Sequence, residues 1–121
     1  MQKINSVKGT KDLQGDELLH HEWLKNKFEE ICYFFTYEKI VTPIIEHSEV
    51  FNRSLGESSD IVSKEMYNFI DQGGDHLVLR PEGTAAIARA FISNSFNQKL
   101  INKYFYSVPM SRRERPQSGR L

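Results

Sequence analysis

The sequence predicts an α+β fold with a mostly antiparallel sheet. Three observations carry that reading: an apolar stripe at helical spacing in the first third, two strand-like runs joined by a glycine-containing turn, and an alanine-rich helical run before a last aromatic strand. The chain has 121 residues, which fits one domain. A folded chain of this size buries roughly two thirds of its unfolded surface. Eight Phe, five Tyr and one Trp argue against disorder.

Residues 1–15 are polar and turn-rich and read as an extended arm. Asp16 is placed to cap a helix, because its carboxylate can accept from the amides of the first turn. Leu18, Leu19, Trp23, Leu24, Phe28, Ile31, Cys32 and Phe35 then share one face, with Glu17, Glu22, Lys25, Lys27, Glu29 and Glu30 on the wet side. From Glu38 to Glu46 the period changes. Ile40, Val41, Ile44 and Ile45 suit a strand, while Pro43 lacks a ladder donor, so that strand is at an edge, bulged, or pairs beyond the proline. The stretch from Asn52 to Glu65 reads as a polar loop with at most a short helical turn. Strands are expected at Glu65 to Ile70 and His76 to Leu79, with Asp71-Gln72-Gly73-Gly74-Asp75 as the hairpin connection. Arg80-Pro81-Glu82-Gly83-Thr84 stops the second strand, and a helix begins near Gly83 or Thr84 and runs to about Ser93. A last strand, Lys103 to Met110, leads into a polar ending.

Composition excludes several classes. No apolar run approaches the ~20 residues that a membrane span needs. The opening Met1-Gln2-Lys3-Ile4-Asn5 lacks the pattern of a secretory signal. Cys32 is the single cysteine, which cannot form an internal disulfide and points to a reducing cytoplasm. Sixteen basic and sixteen acidic residues balance, which argues against a wholly basic nucleic-acid module. No metal site is expected, since His20, His21, His47 and His76 show no ligand spacing.

Two constellations could carry chemistry. Arg112, Arg113, Arg115 and Arg120 crowd the ending, opposed by Glu114. Guanidinium groups grip phosphate or carboxylate through parallel hydrogen bonds; the bland alternative is a solvated basic tail. The second is Arg80-Pro81-Glu82-Gly83-Thr84. A carboxylate held at a strand-to-helix turn can bind a ligand ammonium, with Thr84 adding a hydroxyl; the bland alternative is that Glu82 only stabilises its own helix start.

Several motifs, in order, resemble the opening of histidyl-tRNA synthetases: Lys8-Gly9-Thr10-Lys11-Asp12, Thr42-Pro43-Ile44-Ile45-Glu46, Phe51-Asn52-Arg53-Ser54-Leu55-Gly56-Glu57, Lys64-Glu65-Met66-Tyr67, Leu79-Arg80-Pro81-Glu82-Gly83-Thr84 and Glu114-Arg115-Pro116-Gln117. The resemblance implies a class II aminoacyl-tRNA synthetase core, an antiparallel sheet flanked by helices, used as a cytoplasmic homodimer. It divides residues 1–121 of this partial catalytic core into an arm (1–15), the first motif with its dimer interface (16–46), a hairpin with the histidine-binding turn and its helix (65–93), and the first half of the second motif (103–121). Glu82, Gly83 and Thr84 match the residues holding the α-amino end of histidine. Arg112 matches the catalytic arginine that contacts the α-phosphate of ATP and the histidine carboxylate. Glu114 matches the acid facing the adenine amino group, and Arg120 the arginine reaching the terminal phosphates. ATP with Mg2+, histidine and tRNA(His) are the implied substrates and partners, with no membrane.

Two positions depart from the family pattern. Ser111 stands where phenylalanine is usual before the arginine, and Val108 replaces the glycine before Pro109; neither change removes a charged group. The sequence stops inside the second motif, so it reads as a piece of a longer protein, inactive alone. Two other readings are a synthetase-like regulatory subunit of ATP phosphoribosyltransferase and an autonomous dimerisation module. Glu82-Gly83-Thr84 together with Arg112 and Glu114 favours the synthetase, since a regulator need not keep groups that grip ATP.

Overall fold

The computed structural model describes residues 2–55 and 65–113. Helix α1 covers Gly15–Phe34. Asp16 is not its cap: Gln14 holds that position in extended backbone without a side-chain bond, and Asp16 falls in the first turn beside Glu17. There its charge still complements the positive end of the helix dipole. The helix closes as Phe35 and Thr36 donate backbone hydrogen bonds to the Ile31 and Tyr33 carbonyls, and Thr36 turns left-handed at φ 65°.

The proline-interrupted strand resolves into two short strands in different sheets. Strand β1 (Glu38–Lys39) pairs in parallel with β5 (Tyr104–Phe105). Strand β2 (Ile45–His47) pairs antiparallel with β4 (His76–Leu79), and Ile45 faces Leu79. Pro43 lies in the crossing between them, where no ladder needs its missing amide. Strand β3 (Asn68–Ile70) completes a three-stranded antiparallel sheet in the order β2-β4-β3.

The β3–β4 hairpin turns where the glycines placed it. One Asp71 oxygen, Oδ1, accepts from the amides of Gly73 (3.0 Å) and Asp75 (2.9 Å). Gly74 takes φ 89°, a conformation costly for residues with a Cβ. Both β3 and β5 are shorter than expected, although residues beyond each still bond to neighbouring segments.

Helix α2 (Ser48–Leu55) occupies part of the expected loop, two turns rather than one. Residues 56–64 lie outside the described stretch. Packing explains α2: Phe51 is fully buried among Met66, Val78 and Ala85, with Val50 against them. Helix α3 (Thr84–Ser93) has the bounds the sequence suggested and buries Ala85, Ala86 and Ala90, small side chains that let it lie close. The Arg89 guanidinium donates from Nε (3.2 Å) and Nη2 (3.1 Å) to Oε2 of buried Glu46, tying α3 to β2.

The apolar stripe of α1 is not buried. Leu19, Trp23, Leu24 and Ile31 are each about 60% exposed, and α1 contributes no fully buried residue. Phe28 and Tyr33 meet the sheet with ring-to-ring contacts, both edge-on to Phe105 at 5.9 and 5.1 Å. Half-buried Cys32 lines an open hollow of about 780 Å3 between α1 and β5, rather than a closed core.

Candidate functional site

The site is the turn from β4 into α3, with residues 109–113 laid beside it. Glu82 reaches forward across the start of α3. Its Oε2 accepts from the Thr84 amide at 2.6 Å and its Oε1 from the Ala85 amide at 2.9 Å. Gly83, in the capping position, has no side chain to do this, so Glu82 satisfies two amides that would lack helical partners. The helix-start role weighed for Glu82 is therefore present. Each carboxylate oxygen keeps a second lone pair, so the held group can still accept from a ligand.

Gly83 is buried, and the Tyr106 ring occupies the space a side chain would need there. A Cβ at position 83 would collide with ring carbons and lie 2.8 Å from the hydroxyl oxygen. Thr84, the first residue of α3, is exposed.

Residues 109–113 dock by alternating contacts. The Ser111 amide donates to the Arg80 carbonyl at 2.9 Å, Nε of Arg112 donates to the Pro81 carbonyl at 2.9 Å, and the Arg113 amide donates to the Glu65 carbonyl. The Arg113 guanidinium lies 5.7 Å from the centre of the Tyr67 ring, within cation–π range. Arg112 is exposed, and its Nε bond keeps a fixed cation next to the Glu82 turn. Glu114 and Arg120 lie outside the described residues.

From the sequence Arg80 belonged to the candidate turn without a role of its own, yet it is the most buried charged side chain of the site, 2% exposed. Period-two alternation from Val78, which is buried, puts Arg80 on the same inward face, and that was the readable signal. Tyr106 was also missed. A close approach to glycine leaves no mark in a single sequence. Among the described residues no group of three or more His, Cys, Asp or Glu side chains could hold a metal ion.

Residues 9–121 match the family model described as Histidyl-tRNA synthetase. The chain belongs to the histidyl-tRNA synthetase family. It is 45% identical over 120 residues to a histidine–tRNA ligase of Rickettsia canadensis (strain McKiel), covering 99% of this chain and 29% of that protein. The crystal structure of apo S. aureus histidyl-tRNA synthetase superposes with a TM-score of 0.73 at 32% identity, over 89% of this chain and 25% of the other. A Bacillus halodurans C structure, described as an ATP phosphoribosyltransferase regulatory subunit/histidyl-tRNA synthetase, reaches a TM-score of 0.76 over 93% of this chain and 28% of the other. At 24% identity that likeness bears on the fold alone. The chain spans less than a third of the histidine–tRNA ligases it matches, and the synthetase fold is the setting for the turn described above. No helix among the described residues is long and apolar enough to cross a membrane.

Proposed function

We propose that this chain supplies one wall of the active site of a histidine–tRNA ligase, which activates histidine with ATP and transfers it to tRNA(His). The observation that carries the reading is the Nε of Arg112 on the Pro81 carbonyl, which sets a permanent cation beside the turn presenting Glu82. Amino-acid activation needs those two charges near each other, because the substrate carries an ammonium and a carboxylate on one carbon.

Glu82 receives the α-ammonium, with the Thr84 hydroxyl beside it. Gly83, without a side chain, lets the Tyr106 ring pack against the turn that presents Glu82. A histidine carboxylate oxygen attacks the α-phosphorus; that O–P bond forms, the bond to the bridging oxygen breaks, and pyrophosphate leaves with the electron pair. The Arg112 guanidinium spans the carboxylate and the α-phosphate, where negative charge develops. By the family resemblance, Glu114 would meet the adenine amino group and Arg120 the terminal phosphates. Bound Mg2+ would help neutralise the phosphate charge, beside what Arg112 supplies. Transfer of the histidyl group to tRNA(His) then releases AMP. The protein works as a cytoplasmic homodimer through residues 16–46.

The test joins the chain to the remainder of the Rickettsia canadensis ligase and measures histidine-dependent exchange of pyrophosphate into ATP. The chimera should exchange. Arg112→Ala should lower its rate by about 100-fold or more, as removal of a transition-state donor does. The 121 residues alone should show no exchange, because the residues matched to the family's site supply only part of it. Exchange by the chimera that Arg112→Ala leaves intact would overturn the reading.

A further inference from the structure

We infer that Arg80 is a positioning residue, which locks the segment carrying Arg112 onto the turn carrying Glu82. The inference rests on the reading above for what Arg112 and Glu82 bind. Its physical basis is separate.

The Arg80 side chain sits among backbone carbonyls of two distant segments. Nη1 donates to the Thr42 carbonyl at 2.7 Å and to the Pro43 carbonyl at 3.4 Å, and Nε donates to the Pro109 carbonyl at 3.0 Å. Thr42 and Pro43 lie in the crossing between β1 and β2, and Pro109 lies beyond the end of β5, so no strand ladder serves these oxygens. The main chain of Arg80 adds two struts: its amide donates to the Ile44 carbonyl and its carbonyl accepts from the Ser111 amide, both at 2.9 Å. One residue therefore joins the β1–β2 crossing, the end of β4 and the residues leading to Arg112.

The side chain's chemistry suits this task. A guanidinium is planar, stays charged, and donates in several fixed directions at once. Lysine keeps the charge but concentrates its donors on one atom and cannot bridge Thr42 and Pro109 in the same geometry. Glu82 is held differently. Its bonds run to Thr84 and Ala85 of its own helix start and need nothing from Arg80. Loosening Arg80 should therefore displace Arg112 and leave Glu82 in place.

That asymmetry is the test. In the chimera, Arg80→Lys should lower kcat of pyrophosphate exchange about 100-fold and raise KM for ATP, with KM for histidine changed by less than about threefold. A general loss of folded enzyme would lower kcat and leave both KM values unchanged. Ser111→Pro removes the amide bonded to the Arg80 carbonyl while sparing the guanidinium, and should give the same split if Arg80→Lys proves unstable. On the 121-residue chain, amide exchange at Ser111 should accelerate about tenfold or more in Arg80→Lys, with the β3–β4 amides unchanged. A chimera inactive without any substitution sinks the functional reading, and the amide arm still decides the role of Arg80. Equal acceleration at Ser111 and in the hairpin, no acceleration at Ser111, or a histidine KM rising in step with that of ATP would each overturn the inference.

Discussion

Arg112 donates from Nε to the Pro81 carbonyl at 2.9 Å, one residue before the carboxylate that caps α3. A cation and an anion thus reach the same turn from segments about thirty positions apart, each held by backbone groups. The site is organised by main-chain hydrogen bonds before any substrate arrives.

Glu82→Gln keeps the size of the side chain and one oxygen to cap α3, but removes the charge. Histidine affinity of the chimera should fall by ~1.5–3 kcal/mol, the range for a hydrogen bond to a charged group. Calorimetric titration of histidine without ATP reads this directly. Unchanged affinity would return Glu82 to the role of helix cap alone.

Gly83→Ala should destabilise the chain by about 1–3 kcal/mol, as overpacking does when neither side can yield. Tyr106 supplies the obstruction, so Gly83→Ala combined with Tyr106→Ala should cost less than the two changes summed. Urea unfolding of the four variants gives the coupling. Additive costs would mean that the ring moves aside.

The chain should form a discrete dimer. Leu19, Trp23, Leu24 and Ile31 are large apolar side chains left exposed on α1, a feature that marks interaction surfaces when such residues cluster. Sedimentation at ~100 μM, far above a micromolar Kd, should resolve a dimer boundary. Only monomer there, or only heterogeneous aggregate, would count against a specific interface.

Glu17 accepts a hydrogen bond from the Lys11 ammonium, which lowers its carboxyl below the ordinary 4.5. A lowered folded value means the pair's contribution is present above pH 4.5 and is lost as pH falls through the lowered value. Carboxyl chemical shifts should show Glu17 titrating below 4.5, and Lys11→Ala should return it to the ordinary range. Identical titration in both chains would show that the arm does not rest on α1 in solution.

Much of this fold was legible because local chemistry and final packing agree. Alanines and a clear breaker bound α3, and two glycines between aspartates mark the hairpin. Helix α2 was missed, since Ser48, Val50, Phe51 and Asn52 are only middling helix formers and the helix is short. Burial of Phe51 against Val78 and Ala85 stabilises it. The strand around Pro43 was readable as broken but not as shared between two sheets, because its partners at Tyr104 and Leu79 come later in the chain. Of the candidate site, Glu82 and Arg112 were picked out by type and motif, and the fold brings them to one turn. Arg80 and Tyr106 act through carbonyls and a glycine that only the fold assembles.

The two sheets also differ in how soon they can form. The β3–β4 hairpin closes over five residues, Asp71 to Asp75, which takes microseconds. The parallel pair must bring Glu38 to Tyr104, and the entropy of closing so long a loop is spent before any of its bonds are made. During synthesis the hairpin can settle while residues 104–113 are still being added. The segment bearing Arg112 is thus synthesised after the turn on which it docks.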